Sequence, residues 1–203
     1  MNHLLQTAIN ASLAAGRRIM EIYDTEDFEV DFKGDHSPLT KADSASHQII
    51  MSFLSETGIP VLSEEGRHIP YEERKNWRRL WIVDPLDGTK EFIKRNGEFT
   101  VNIALVEDGV PVLGVIYVPA LKDLYFAAKE IGSFKVKGIT HFSNMEDTLN
   151  KAVKLHQTTA QEQQTTNNKP YTVVASKSHF SPETEEFIQR LAIEKGEIEI
   201  LSK

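Results

Sequence analysis

The chain has 203 residues, room for one large domain or two small ones, and 40% of them are hydrophobic, enough for a buried core. A net charge of −7 argues against non-specific nucleic-acid binding through a basic face, and the lack of cysteine excludes disulfides, zinc–thiolate sites and thiol nucleophiles. No signal peptide opens the chain and no apolar run is long enough to span a bilayer, so a cytoplasmic protein is expected.

From Leu4 to Tyr23, apolar residues recur at Leu4, Ala8, Ala15, Ile19 and Ile22, a helical period. A core-facing helix is favoured there over a membrane-surface one. A second helix is expected near Thr40, with Ile49, Ile50, Phe53 and Leu54 on its buried face. Thr40 is placed to act as N-cap, and Asp43 falls in the first turn, where negative charge is favourable. Strands are expected at Pro60–Leu62, Arg79–Val83, Thr100–Val106, Val110–Val118, Leu124–Ala128 and Ser133–Val136, with Glu107-Asp108-Gly109 as a hairpin turn. Two helices followed by consecutive strands predict an α+β domain over 1–150, with helices packed on an antiparallel sheet. The polar run 157–168 reads as a linker inside a second part, 151–203. Beyond it come a strand at Tyr171–Ala175, a helix capped by Ser181 with Pro182 at its first position and ended by Gly196, and a strand at Glu197–Leu201. A lone β-α-β unit buries little, so this second subdomain is expected to be incomplete.

The densest chemistry lies in Trp81-Ile82-Val83-Asp84-Pro85-Leu86-Asp87-Gly88-Thr89. A hydrophobic strand runs into two carboxylates three residues apart, then a Gly-Thr turn. Pro85 fixes its φ and offers no N–H, so the backbone must bend between the acids. Hard oxygen ligands on a stiff turn suit Mg²⁺, and N–H groups at a helix start suit a phosphate oxygen. Asp-Pro-x-Asp-Gly is also ordinary turn composition. The apolar strand before it favours a site, because the acids then stand at a strand's C-terminal edge. Glu64 and Glu65 follow an apolar run and gain weight as strand-end ligands, although paired glutamates usually sit on a solvated surface. A plain helix-cap role ranks first for Asp43 on local sequence. His47 and His179 read as structural or exposed, and Lys90, Lys94 and Arg95 as substrate contacts or solvated charges.

Other motifs fail. Haloacid-dehalogenase phosphatases separate their aspartates by one residue, whereas Pro85 and Leu86 both intervene here. An EF-hand loop needs a Glu at its twelfth position, and counting from Asp84 that position is Arg95. No Walker A, G-x-S-x-G or H-E-x-x-H pattern occurs.

Leu39-Thr40-Lys41-Ala42-Asp43, Leu62-Ser63-Glu64-Glu65 and Asp84-Pro85-Leu86-Asp87-Gly88-Thr89, in that order, resemble the inositol monophosphatase superfamily of lithium-sensitive, magnesium-dependent phosphatases. Lys90-Glu91-Phe92 and the stretch Asn96 to Leu105 are similar to its bacterial CysQ group, the 3′(2′),5′-bisphosphate nucleotidases. The resemblance implies a layered α/β sandwich of the sugar and inositol phosphatase type. It implies Mg²⁺ as cofactor, with Glu64, Asp84, Asp87 and the Leu86 carbonyl as metal ligands. Asp43 and Thr89 match the pair that orients and helps deprotonate the attacking water. Gly88 and Thr89 match the phosphate-binding turn, with Glu64, Leu86 and Asp87 also lining the substrate site. The implied substrate is adenosine 3′,5′-bisphosphate, cleaved to AMP and phosphate in sulfur assimilation. Inositol monophosphatase or sugar-bisphosphatase activity is the alternative. The implied partner is a small phosphorylated nucleotide and no nucleic acid; a homodimer and a peripheral association with the inner face of the cell membrane are both compatible with it.

Family members continue with a Gly-Ser-Ser-Leu-Lys-like segment and a Trp-Asp-x-Ala-like segment that carries a further metal-binding Asp. The chain ends at Lys203 before both, as a fragment or a natural truncation, so a second metal is expected to be held poorly. From another class, the alternative is a non-catalytic, truncated metal-binding fragment.

Overall fold

The computed structural model describes residues 2–25, 30–32, 38–155, 171–175 and 180–202. The expected linker 157–168 and His179 lie outside the described residues. The chain divides into two compact units, residues 1–156 and 157–203.

The first unit runs α1 (Asn2–Tyr23), β1 (Val30–Phe32), β2 (Pro38–Thr40), α2 (Lys41–Leu54), β3 (Val61–Ser63), α3 (Tyr71–Arg74), β4 (Arg79–Asp87), α4 (Thr89–Ile93), β5 (Thr100–Glu107), β6 (Val110–Val118), β7 (Asp123–Ala128), β8 (Gly132–Val136), α5 (Met145–Lys151) and β9 (Val153–Leu155). Strands β3 to β9 form one seven-stranded sheet in sequence order, and β1 pairs with β2 as a separate antiparallel ribbon. The expected antiparallel meander holds from β4 to β9, but β3 and β4 are parallel, so the sheet is mixed. A parallel pair needs a crossover of a dozen or so residues, and the stretch 64–78 with α3 supplies it. Strand β9, which the sequence did not suggest, adds 153–155 to this sheet.

The period of α1 buries Ala8, Ala15, Ile19 and Ile22 as expected, and also Leu5, Ile9 and Leu13. That wide apolar face is required because α1 packs against both α2 and strands β5 and β6. On α2, Ile50 and Leu54 are buried, while Ile49 and Phe53 pack from the margin of the core. Trp81 of β4 is fully buried, and its indole N–H donates to Thr57 Oγ1 at 3.1 Å, meeting the polar need of a buried indole. The β5–β6 turn has positive φ at both Asp108 (48°) and Gly109 (79°), the geometry that a two-residue hairpin with right-handed twist demands.

In the second unit, β10 (Tyr171–Ala175) and β11 (Ile198–Ser202) pair in parallel across α6 (Pro182–Lys195), as the sequence led us to expect. Ser181 Oγ accepts from the Thr184 N–H at 3.3 Å, and Gly196 ends the helix at φ +86°. No helix among the described residues is long and apolar enough to cross a membrane.

Gly16 on α1 faces β6 so closely that an added Cβ would stand 2.4 Å from the Tyr117 ring. That ring is buried, and its hydroxyl donates to the Ile139 carbonyl at 3.1 Å, so it has little freedom to retreat. Gly16→Ala, normally a gain of about 1 kcal/mol within a helix, is therefore expected to cost about 1–3 kcal/mol, measured by urea unfolding. A stabilised variant would contradict this packing.

Candidate active site

Strand β4 does not stop at Val83 but continues through the acids to Asp87. Asp84 pairs with Asn102 and Asp87 with Thr100, so Pro85 and Leu86 face the single residue Val101 across a bulge. Pro85 has no N–H to give a ladder, which is why the bulge falls here, and the bulge bends the strand end between the two carboxylates. The parallel β3–β4 pairing carries on past Ser63, with the Glu64 N–H donating to the Val83 carbonyl at 3.0 Å. Glu64 is thereby set beside Asp84.

The three carboxylates interact strongly. Asp84 is pushed up to about 7, chiefly by burial and then by the negative charges of Glu64 and Asp87. The Leu86 N–H donates to the Asp84 carboxylate and opposes the rise, while a hydrogen bond with the Glu64 side chain adds to it. Among the described residues, no three His, Asp or Glu side chains already converge as a closed metal cage. The donor set is nonetheless hard, oxygen-only and anionic, and its mutual repulsion is the kind a divalent cation relieves. Asn102 donates its amide to Asp87 Oδ2 at 3.1 Å, and its own Oδ1 accepts from Thr100 Oγ1 at 3.1 Å. The Asn102 contact was not read from sequence; its strand position opposite Asp84 was the available signal.

Asp43 is buried at the start of α2 and serves two purposes. Its Oδ2 accepts from the Thr40 N–H at 2.8 Å and from Thr40 Oγ1 at 2.6 Å, closing a capping box. Its Oδ1 accepts from Thr89 Oγ1 at 3.0 Å. Burial raises the Asp43 carboxyl above its ordinary range, and the hydrogen bonds from Thr40 and Thr89 oppose that rise. The cap role expected for Asp43 and its contact with Thr89 therefore coexist on separate oxygens.

Gly88 caps α4 at φ +97°, and an added Cβ would stand 2.7 Å from the Glu98 carbonyl oxygen. Only glycine fits this turn, which fixes where the first N–H groups of α4 point. The Tyr23, Phe92 and Phe99 rings, 5.0–5.3 Å apart between centroids, hold α4 against the core. The cations after the turn are used unequally. Lys94 pairs with Glu91 at 3.6 Å, Arg95 lies over the Tyr23 ring and donates to the Thr25 carbonyl, and Lys90 is exposed.

Glu64 and Asp84 open onto a groove of about 600 Å³ on the sheet whose lining also includes Asn102, Ile82 and Ile116. Its floor is apolar and its end near Glu64 and Asp84 is acidic. His47 is not simply exposed: its Nδ1 stands 2.9 Å from Ser63 Oγ, and burial lowers its imidazole despite the charge of Glu65.

Residues 1–190 match the Inositol monophosphatase family. The 3′(2′),5′-bisphosphate nucleotidase CysQ of Salmonella typhimurium is 43% identical over 191 residues, covering 93% of this chain and 69% of its own length. The protein of the same name from Escherichia coli K12 is 43% identical over 180 residues, covering 87% and 65%. The chain thus spans about two thirds of these curated relatives. The crystal structure of CysQ from Bacteroides thetaiotaomicron, a bacterial member of the same family, superposes with a TM-score of 0.83 at 45% identity, over 100% of this chain and 73% of that one.

A raised Asp84 carboxyl disfavours folding once it ionises, so the cost develops as pH climbs above the ordinary carboxylate range and is complete above about 7. Asp84→Asn removes that charge. Without added metal, the variant is expected to melt at a higher temperature than the unaltered chain at pH 8, with the gap closing toward pH 5. A variant less stable at pH 8 would contradict the carboxylate crowding.

Proposed function

The chain belongs to the inositol monophosphatase family, and from that premise we propose that it is a Mg²⁺-dependent phosphomonoesterase acting on 3′,5′-bisphosphate nucleotides, with adenosine 3′,5′-bisphosphate cleaved to AMP and phosphate. The observation that carries this reading is the crowding of Glu64, Asp84 and Asp87 at the end of β4, beside the Asp43–Thr89 hydrogen bond and the Gly88 turn. The bisphosphate nucleotidase named in relatives 43% identical supports the choice of substrate over inositol or sugar phosphates.

In this proposal Glu64, Asp84, Asp87 and the Leu86 carbonyl hold the cation. When bound, it supplies a more acidic water and offsets phosphate charge, which a chain of net charge −7 otherwise repels. Asp43 Oδ1 takes the Thr89 hydroxyl proton in a hydrogen bond, leaving the Thr89 oxygen lone pairs to accept from a water. That pair orients the water for in-line attack on the 3′ phosphorus. The new P–O bond forms as the bond to the ribose 3′ oxygen breaks; the attacking water gives up one proton by way of Thr89 to Asp43, and the departing ribose oxygen takes up one proton from solvent water. Gly88 and Thr89 present α4 N–H groups to the phosphate oxygens.

Phosphate release from adenosine 3′,5′-bisphosphate is expected to require Mg²⁺ and to fall with Li⁺. Asp87→Asn is expected to lower turnover by about 100-fold or more, because several kcal/mol of charge stabilisation are lost while the fold persists. Near-normal turnover in that variant would overturn the ligand assignment. Faster release from inositol monophosphate would change the substrate, and metal binding with no release from any phosphate ester would favour the non-catalytic reading.

A further inference from the structure

Three side chains on one face of α2 grip the two turns that carry the carboxylates, and two of them have no role in the chemistry proposed above. Asp43, Ser46 and His47 stand at i, i+3 and i+4, the spacing of neighbours on a helix surface. Asp43 reaches Thr89, as described. Ser46, fully buried, donates its hydroxyl to the Pro85 carbonyl at 2.7 Å. His47 Nδ1 lies 2.9 Å from the hydroxyl of Ser63, the residue before Glu64.

The Ser46 bond departs from its own helix's habit. A buried serine on a helix usually satisfies itself on a carbonyl one turn back. The buried Ser12 of α1 does so on Ile9 at 2.9 Å, and the exposed Ser52 of α2 on Ile49 at 2.7 Å. Ser46 instead reaches a carbonyl 39 residues away in sequence. Pro85 lies in the bulge, between the paired positions Asp84 and Asp87, where the ladder is interrupted. The hydroxyl thus fastens the one part of β4 that the sheet does not.

We propose that Ser46 and His47 are positioning residues that use α2 as a common rigid frame to set the Glu64 turn and the Asp84–Asp87 bulge in register for a shared divalent cation. This rests on the ligand assignment proposed above. Glu64 follows β3 whereas Asp84 and Asp87 flank the bulge of β4, and like charges drive the three apart, so register must be imposed from outside the cluster. Partners that orient ligands without touching the metal typically matter by about 10–100-fold in affinity.

The test measures binding of Mn²⁺ to the 203-residue chain from the EPR signal of the free ion, together with the melting temperature of the metal-free protein. Ser46→Ala and His47→Ala are each expected to weaken Mn²⁺ binding by about 10-fold. His47→Asn, which keeps a polar atom near the position of Nδ1, is expected to recover part of the loss. Ser12→Ala, a buried serine that bonds only its own helix, is expected to leave the affinity unchanged. Folded Ser46→Ala and His47→Ala proteins with unaltered affinity would overturn the inference; should Ser46→Ala fail to fold, the His47 variants decide it. Asp87→Asn separates the two levels. Loss of Mn²⁺ binding there, with no effect of Ser46→Ala or His47→Ala, refutes the frame alone. No effect of Asp87→Asn, or no binding by the unaltered chain, refutes the ligand assignment and the frame with it.

Discussion

Negative charge crowded at one strand end is the constraint on which the rest of the site depends. Glu64 and Asp87 raise the energy of an ionised Asp84 that burial has already made unfavourable. Left to electrostatics, three such groups would separate. The fold prevents this by covalent and packing means: a parallel strand pair puts Ser63 level with Val83 and so Glu64 beside Asp84, and a proline-centred bulge puts Asp84 and Asp87 on either side of a bend. Such an arrangement costs stability in the metal-free protein. It makes physical sense where a cation or a transferred proton gives back what the repulsion takes.

The second economy is the double use of Asp43. A capping box needs only one carboxylate oxygen, and Oδ2 supplies it to both the N–H and the hydroxyl of Thr40. The remaining oxygen is held in one direction by that cap, so its bond to Thr89 comes with no further loss of rotamer freedom. A helix terminus that must be satisfied anyway thus becomes the anchor for a reactive hydroxyl. The Gly88 turn completes the geometry, because the approach of the Glu98 carbonyl leaves no room for a side chain.

Much of this is legible in the sequence. The helical period of Leu4 to Tyr23 and the Asp-Gly turn between two apolar strands specify α1 and the β5–β6 hairpin through local physics alone. The Asp84 to Thr89 segment declared its chemistry because Asp, Pro, Asp and Gly follow a strand too apolar to end in an ordinary surface turn. Strands β1, β2 and β9 were not legible, since three residues carry too little alternation to show a period and none of them, unlike β3, lies in an apolar run such as Ile59-Pro60-Val61-Leu62. The parallel pairing of β3 was missed although the long stretch 64–78 was a usable sign of a crossover. Helix α5 was missed despite its cap, Asn144, which accepts from the Asp147 N–H at 2.8 Å. Ser46 and His47 were invisible for a different reason: their partners lie 39 and 16 residues away, and no local pattern encodes such contacts.

The most direct measurement is a crystal structure of the chain grown with Mn²⁺ near pH 8, read from the anomalous signal of the metal. The carboxylate crowding predicts a peak with oxygens of Glu64, Asp84 and Asp87 and the Leu86 carbonyl within about 2.5 Å of it. Crystals with Mn²⁺ bound elsewhere, or with no peak at the end of β4, would contradict it.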